Sequence, residues 1–304
     1  VSVEDNVEPV ALCQAITVQL DASGNVSITP EEIDNGSYDA CGIASLALDD
    51  ITSFDCSNVG DNTVVLTVTD VNGNVSTCSA TVTVEDIVAP VALCQSITVQ
   101  LDASGNVSIT PADIDNGSND ACGIASLALD VAAFNCSNIG ANPVVLTVTD
   151  NNGNVSTCSA TVTVEDNVAP VALCQSITVQ LDASGNASIT TADIDNGSND
   201  ACGIAGLSLD ITSFDCSNVG ANTVVLTVTD NNGNVSTCSA TVTVEDNVAP
   251  VALCQSITVQ LDASGNASLQ LLILIMAATM LVESQSLVTG CRLLLIVRML
   301  EIIR

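Results

Sequence analysis

Residues 60–70 read GDNTVVLTVTD and residues 75–85 read VSTCSATVTVE, two runs in which apolar and hydroxyl-bearing positions alternate with a period of two. Such alternation puts every second side chain on one face of an extended strand. Between the runs lies an Asp-Val-Asn-Gly-Asn segment whose residue types suit a tight turn, so the pair predicts a β-hairpin. Upstream, ITVQLD and NVSIT alternate around a turn at Asp21 to Asn25, and IASLALD and ITSFDC do so again. Each of these pairs is also expected to form a hairpin. Thr110, Pro111 and Asp113 have the residue types of an N-cap, a first-turn proline and an N3 acid, and predict a single helical turn.

The same pattern recurs along the chain. PVALCQ begins at Pro9, Pro90, Pro170 and Pro250, which marks complete units at 1–86, 87–166 and 167–246 and the start of a fourth at 247–268. Six or seven short strands per unit, without a long helix, predict an all-β fold: tandem small immunoglobulin-like β-sandwiches in an extended array. A β-solenoid fits less well, because solenoid repeats are normally shorter and lack an internal cysteine frame.

Composition narrows the chemistry. Hydrophobic residues make up 47% of the chain but aromatic ones only 1%, so each core must be small and aliphatic. The formal net charge is −32, and all three basic residues, Arg292, Arg298 and Arg304, lie beyond residue 268. Such a surface repels DNA, RNA and anionic lipid, and nucleic acid is excluded as a partner. With no His anywhere and no Lys or Arg in the repeats, a Ser–His–Asp or Cys–His centre cannot be built. Paired carboxylates could act on glycosides, but the aromatic sugar platforms that such clefts use are missing. Phe54, Phe134 and Phe214 each precede a cysteine by two residues and suit core positions. The chain reads as non-catalytic.

Four cysteines recur in every unit, a usage that points to an oxidising compartment. Zinc or iron–sulfur ligation is disfavoured by the absence of His and of CxxC spacing. Cys41 and Cys56 flank an expected hairpin, and Cys13 and Cys78 precede the first and last strands, which often run side by side in such sandwiches. The expected bonds are therefore Cys13–Cys78 with Cys41–Cys56, Cys94–Cys158 with Cys122–Cys136, and Cys174–Cys238 with Cys202–Cys216.

Three acidic elements also recur: the LDASGN turn, the DIDNGSND segment (Asp113, Asp115 and Asp120 in the second unit), and the Glu-Asp junction with its facing turn. Hard oxygen ligands at close spacing suit Ca²⁺. Head-to-tail sandwiches would gather Asp21, Glu85, Asp86, Asp150 and Asn152 at the first junction, and Asp102, Glu165, Asp166, Asp230 and Asn232 at the second. The competing explanation is that tight turns require Asp, Asn and Gly at these places whether or not a cation binds. The NVS triplets at Asn25, Asn74, Asn106, Asn154 and Asn234 have the form of glycosylation acceptors, but NV is also how these strands begin after a turn.

Taken together, PVALCQ, LDASGN, FDCSNVG, TVVLTVTD and NGNVSTCSATVTVED, which span residues 1–268, resemble the hyaline-repeat (HYR-like) immunoglobulin-like modules found in tandem in very large secreted or surface proteins of Bacteroidetes bacteria. The resemblance implies a structural or adhesive stalk on the cell exterior, presented to an extracellular surface, glycan or protein. A specific carbohydrate- or protein-binding module and a passive spacer are the alternatives.

The resemblance stops at Ser268. Reconstructed codons for DIDNGSNDACGI, read with one base missing, spell ILIMAATMLVE, the sequence at 273–283. Residues 269–304 are thus expected to be an out-of-frame continuation of the fourth unit. Their apolar run from Leu269 to Val282 is shorter than the roughly 20 residues a membrane span requires, and no membrane span is expected.

Overall fold

The computed structural model describes residues 3–49, 51–251, 258 and 260–266. The chain forms two compact units, Val1–Asp166 and Asn167–Arg304, each described by itself. The first unit holds two copies of the repeat and the second holds one. The stretch 269–304, read above as out of frame, lies outside the described residues.

In the first repeat β1 is Ile16–Gln19, β2 Asn25–Ser27, α1 Pro30–Ile33, β3 Ile43–Leu48, β4 Ser53–Asp55, β5 Gly60–Asp70 and β6 Val75–Glu85. A four-stranded sheet in the order β1-β6-β5-β3 faces a two-stranded ribbon of β2 and β4. The longest pairing is the β5–β6 hairpin, in register from Gly60↔Val84 to Thr69↔Val75. It is the hairpin its continuous alternation predicts. β1 runs parallel to β6, Ile16 opposite Val82, at the edge of the sheet. The second repeat repeats this plan with β7 Ile97–Gln100, β8 Asn106–Ser108, α2 Pro111–Ile114, β9 Ile124–Leu129, β10 Ala133–Asn135, β11 Gly140–Asp150 and β12 Val155–Glu165. The third does so with β13 Ile177–Gln180, β14 Asn186–Ser188, α3 Thr191–Ile194, β15 Ile204–Leu209, β16 Ser213–Asp215, β17 Gly220–Asp230 and β18 Val235–Glu245.

The alternation of β5 and β6 sends Val64, Leu66, Val68, Val82 and Val84 inward, where they meet Leu20, Ile28, Ile33 and Phe54. Phe54 is the sole aromatic of this core, as its place in the sequence suggests. The helical turn forms where the capping residues indicate. The backbone N–H and hydroxyl of Thr110 both donate to Asp113 Oδ2 at 2.7 Å, fixing the entry to α2.

Two of the three expected hairpins are corrected. The turn at Asp21–Asn25 closes, with Asp21 N–H donating to Asn25 O at 2.9 Å, but its arms go to different sheets. β1 pairs with β6, and β2 pairs with β4, Val26 opposite Phe54. Likewise β3 pairs with β5 rather than with β4. The turns are corners between layers. Alternation reveals which face of a strand is buried, but two strands that both face the core can lie in opposite sheets.

Candidate functional site at the repeat junction

The disulfides follow from this layering. Cys13 is joined to Cys78, which lies within β6, and the equivalent pairs Cys94–Cys158 and Cys174–Cys238 are also joined. Each ties the segment before the parallel edge strand to the middle of the sheet. The expected Cys41–Cys56 and Cys122–Cys136 bonds are corrected: Cys56 is bonded to Cys122 of the next repeat, with Cα atoms 5.1 Å apart, and Cys41 is free. Cys202–Cys216 is corrected too, because Cys216 carries a free thiol. The physical reason is that β3 and β4 are not hairpin partners, so the cysteines before and after them do not meet at an open end.

The Cys56–Cys122 bond sits on a built surface. Gly24 occupies the left-handed region at φ +75°, and a Cβ there would lie 2.7 Å from Cys56 Sγ and 3.1 Å from Ala121 Cβ of the following repeat. Only a glycine allows the two repeats to approach this closely. Cys122 packs against the core of the first repeat, so the disulfide also contributes apolar contact across the boundary.

Beside this bond lies the linker carboxylate Asp86. It is 8% exposed; its Oδ1 accepts from the Val88 backbone N–H at 3.1 Å, while its Oδ2 is buried with no hydrogen-bond partner. A ligand atom of Asp86, one of Asp120 and the Cys122 sulfur lie within 4.8 Å of one another. Because that sulfur is in a disulfide, the available hard ligands are the two carboxylates. From the far side, Asn154 Nδ2 donates to the Asp86 carbonyl at 3.0 Å, bringing the β11–β12 turn onto the linker.

The residues expected to bind a cation divide accordingly. Asp86 is at the junction, and Asp120, which sequence reasoning placed in a separate acidic element, joins it there. Asp150 is 1% exposed and committed to its own turn: Oδ1 accepts from the N–H groups of Asn152 and Asn154, and Oδ2 from Asn154 Nδ2. Burial pushes its carboxyl up, but these bonds, with one from Gly153, outweigh it and hold the group below its ordinary range. Asp230 is held low in the same way, its Oδ1 taken by Asn232 and Asn234. Asp21 and Asp102 close their turns through the N–H groups of Ser23 and Asn25, and of Ser104 and Asn106. Glu85 lies exposed at the end of β6. Glu165, exposed at the end of β12, accepts from Gln100 Nε2 at 2.7 Å. Asp166 is buried. Turn chemistry thus accounts for most of the recurrent Asp and Asn residues. The side chains of Asn74, Asn154 and Asn234, in three of the NVS triplets, are part-buried and engaged in these turns.

The first repeat presents a matching cluster toward the N-terminus. Asp5, Asp39 and Cys41 are grouped as Asp86, Asp120 and Cys122 are. Asn74 Nδ2 donates to the Asp5 carbonyl at 3.1 Å. A hydrogen bond to Asp5 and the charge of that carboxylate raise the exposed Cys41 thiol above its ordinary range, with some desolvation and the charges of Asp39 and Asp70 adding to the shift.

No protein-family model and no curated protein sequence matches the chain. Among solved structures it is similar to extracellular cadherin domains 1–4 of protocadherin gamma B7, at 13% identity and a TM-score of 0.33, covering 78% of this chain and 75% of that one. It is also similar to a three-domain immunoglobulin fragment of titin, at 9% identity and a TM-score of 0.30, covering 79% and 97%. A Drosophila N-cadherin fragment of four extracellular domains gives 13% identity and a TM-score of 0.29, covering 78% and 75%. Among the described residues no helix is long and apolar enough to cross a membrane.

Proposed function

We propose that the chain is a non-catalytic segment of an extracellular stalk, a run of hyaline-repeat-like modules that holds or presents adhesive surfaces away from a bacterial cell. The observation that carries this reading is the Cys56–Cys122 bond, which locks one repeat to the next. A protein whose role depended on independent domains would gain little from that constraint, whereas a stalk under load gains stiffness. Near-identical units offer reach and multivalent presentation. Small-angle scattering of the full chain tests it. The Cys122→Ser chain is expected to keep its circular dichroism spectrum while its distance distribution broadens. Identical scattering from the two chains would count against the stalk.

The junction carboxylates support a cation as part of the same device. Asp86 Oδ2 is a buried carboxyl oxygen with no hydrogen bond, next to Asp120, and Ca²⁺ is the hard cation that such oxygens accommodate. Asp86 and Asp120 would hold it, leaving coordination positions for water. At roughly a hundredfold excess over its dissociation constant, Ca²⁺ would stabilise the chain by about 2.7 kcal/mol. We expect the thermal midpoint to rise with Ca²⁺ at physiological ionic strength, and the rise to vanish in Asp86→Asn. A midpoint indifferent to Ca²⁺ would remove the cation from the proposal and leave the stalk intact.

A further inference from the structure

Among the described residues two cysteines, Cys41 and Cys216, are thiols, and they are not equivalent to each other. Cys41 is the second cysteine of its repeat and Cys216 the third of its own, the same positions that Cys122 and Cys56 hold in the bond between the first two repeats. Each lies in the local geometry of its bonded counterpart.

On the Cys216 side, the short turn Cys216–Asn218 is capped by Asp215, whose Oδ1 accepts from Ser217 N–H at 2.8 Å, and Asp55 does the same for Ser57 at 2.8 Å. Cys216 Sγ lies 3.9 Å from the Gly185 carbonyl oxygen, and Cys56 Sγ 3.8 Å from that of Gly24. A Cβ on Gly185, at φ +77°, would stand 2.8 Å from Cys216 Sγ, against 2.7 Å at Gly24. The difference lies in what covers the site: Gly24 is buried beneath Ala121 and Cys122, whereas Gly185 is half-exposed. On the Cys41 side, Asp39 Oδ1 accepts from the Cys41 N–H at 2.7 Å, as Asp120 Oδ1 does from Cys122 at 2.7 Å. Asp5 stands beside Cys41 as Asp86 stands beside Cys122. The backbone setting of each cysteine is thus that of its bonded counterpart.

We propose that Cys41 and Cys216 are the two reciprocal halves of the inter-repeat disulfide, each formed to receive a further unit of this same repeat. The chain is then a link that can be continued covalently in both directions. Sequence register explains why Cys216 is free. The second cysteine of the next unit belongs at position 282, eighty residues after Cys202, and that position holds Val282 in the stretch that departs from the repeat. Closing either joint removes two protons and two electrons from a pair of thiols. A disulfide oxidant, small-molecule or protein-borne, accepts them and leaves as two thiols. Gly185 beside Cys216, the counterpart of Gly24 beside Cys56, keeps the approach open.

The test restores the register. In the full chain, residues 269–304 are replaced by a copy of residues 189–246, completing the fourth repeat, and the unreduced protein is alkylated with N-ethylmaleimide and mapped by mass spectrometry. Cys216 is expected to change from fully alkylated to fully protected, bonded to the second cysteine of the completed repeat, while Cys41 stays alkylated. Cys254 bonded to the last cysteine of the added repeat shows that this repeat has folded. Cys216 still alkylated under that condition overturns the proposal. If the added repeat does not fold, the Cys122→Ser full chain decides: it frees Cys56 in a repeat whose Cys41 is already free. Both are expected to remain alkylatable, and a Cys41–Cys56 bond would show that Cys41 is a partner within its own repeat.

Discussion

A chain carrying Cys13→Ser and Cys78→Ser together will lose about 4 kcal/mol of stability in its first repeat, the chain-entropy value for a closed loop of this length. The size of the effect follows from what the bond supports. β1 spans only Ile16–Gln19 and pairs in parallel with β6, at the other end of the repeat in sequence. Bringing these strands together closes nearly the whole repeat as a loop, for four residue pairs at a sheet edge. Cys78 lies in the middle of the long hairpin, opposite Leu66 of β5, so the bond anchors the chain start to the most stable part of the fold. Without it, Ala11, Ile16 and Val18, which pack against the core, depend on the four β1–β6 pairs and on backbone hydrogen bonds such as Gln14 N–H to Ile33 O. With Cys94–Cys158 and Cys174–Cys238 intact, denaturant unfolding followed by circular dichroism should split into an early phase for the altered repeat and a later one. A single transition at the unaltered midpoint would show that the aliphatic core alone sets stability.

The same bond shows how far the residues specify the fold. The β5–β6 hairpin is legible because its alternation is long and its turn residues are unambiguous. The parallel approach of β1 to β6 is legible from the places of Cys13 and Cys78. The layer to which β2, β3 and β4 belong is not, because inward-facing residues such as Val26 and Leu46 look alike whichever sheet they occupy. The inter-repeat bond was hidden for a different reason. In a chain that repeats every eighty residues, Cys41 and Cys122 are the same position, so a contact from Cys56 to the next repeat cannot be told by type from one within its own. Asp120 was missed at the junction for the same reason, since its equivalent Asp39 stands before Cys41. Local spacing favours the nearer partner; only the division of β3 and β4 between sheets rules it out.

That division also gives the junction its mechanical character. The Cys56–Cys122 bond leaves from the side of the first repeat that carries the β2–β4 ribbon, where Gly24 and Cys56 meet Ala121. The linker leaves from the four-stranded sheet, at the end of β6. Two connections from different layers resist bending and twisting where a single linker would act as a hinge. The turn of the next repeat adds a third point, through Asn154 Nδ2 to the Asp86 carbonyl.

Asp150→Ala is expected to cost about 3 kcal/mol, since it removes a buried anion that satisfies three donors and leaves those donors without partners. The carboxylate accepts from the N–H groups of Asn152 and Asn154 at 2.8 Å each and from Asn154 Nδ2 at 2.8 Å, which fixes the β11–β12 turn. Asn154 then loses the partner that orients it toward the Asp86 carbonyl, so the damage reaches the junction. Asp150→Asn separates geometry from charge: one oxygen still accepts the two backbone donors, but its amide nitrogen faces Asn154 Nδ2, donor against donor, and an intermediate loss is expected. The pH dependence has a definite sign. The folded carboxyl lies below its ordinary range, so its stabilisation is fully present above the unfolded value of about 4 and is lost as pH falls through the folded value. The stability gap between the unaltered chain and Asp150→Ala, measured by urea unfolding, should therefore be largest near neutrality and narrow as the pH drops below about 4. A gap of constant size across that range would mean that the turn is held by its shape and not by the ionised carboxylate.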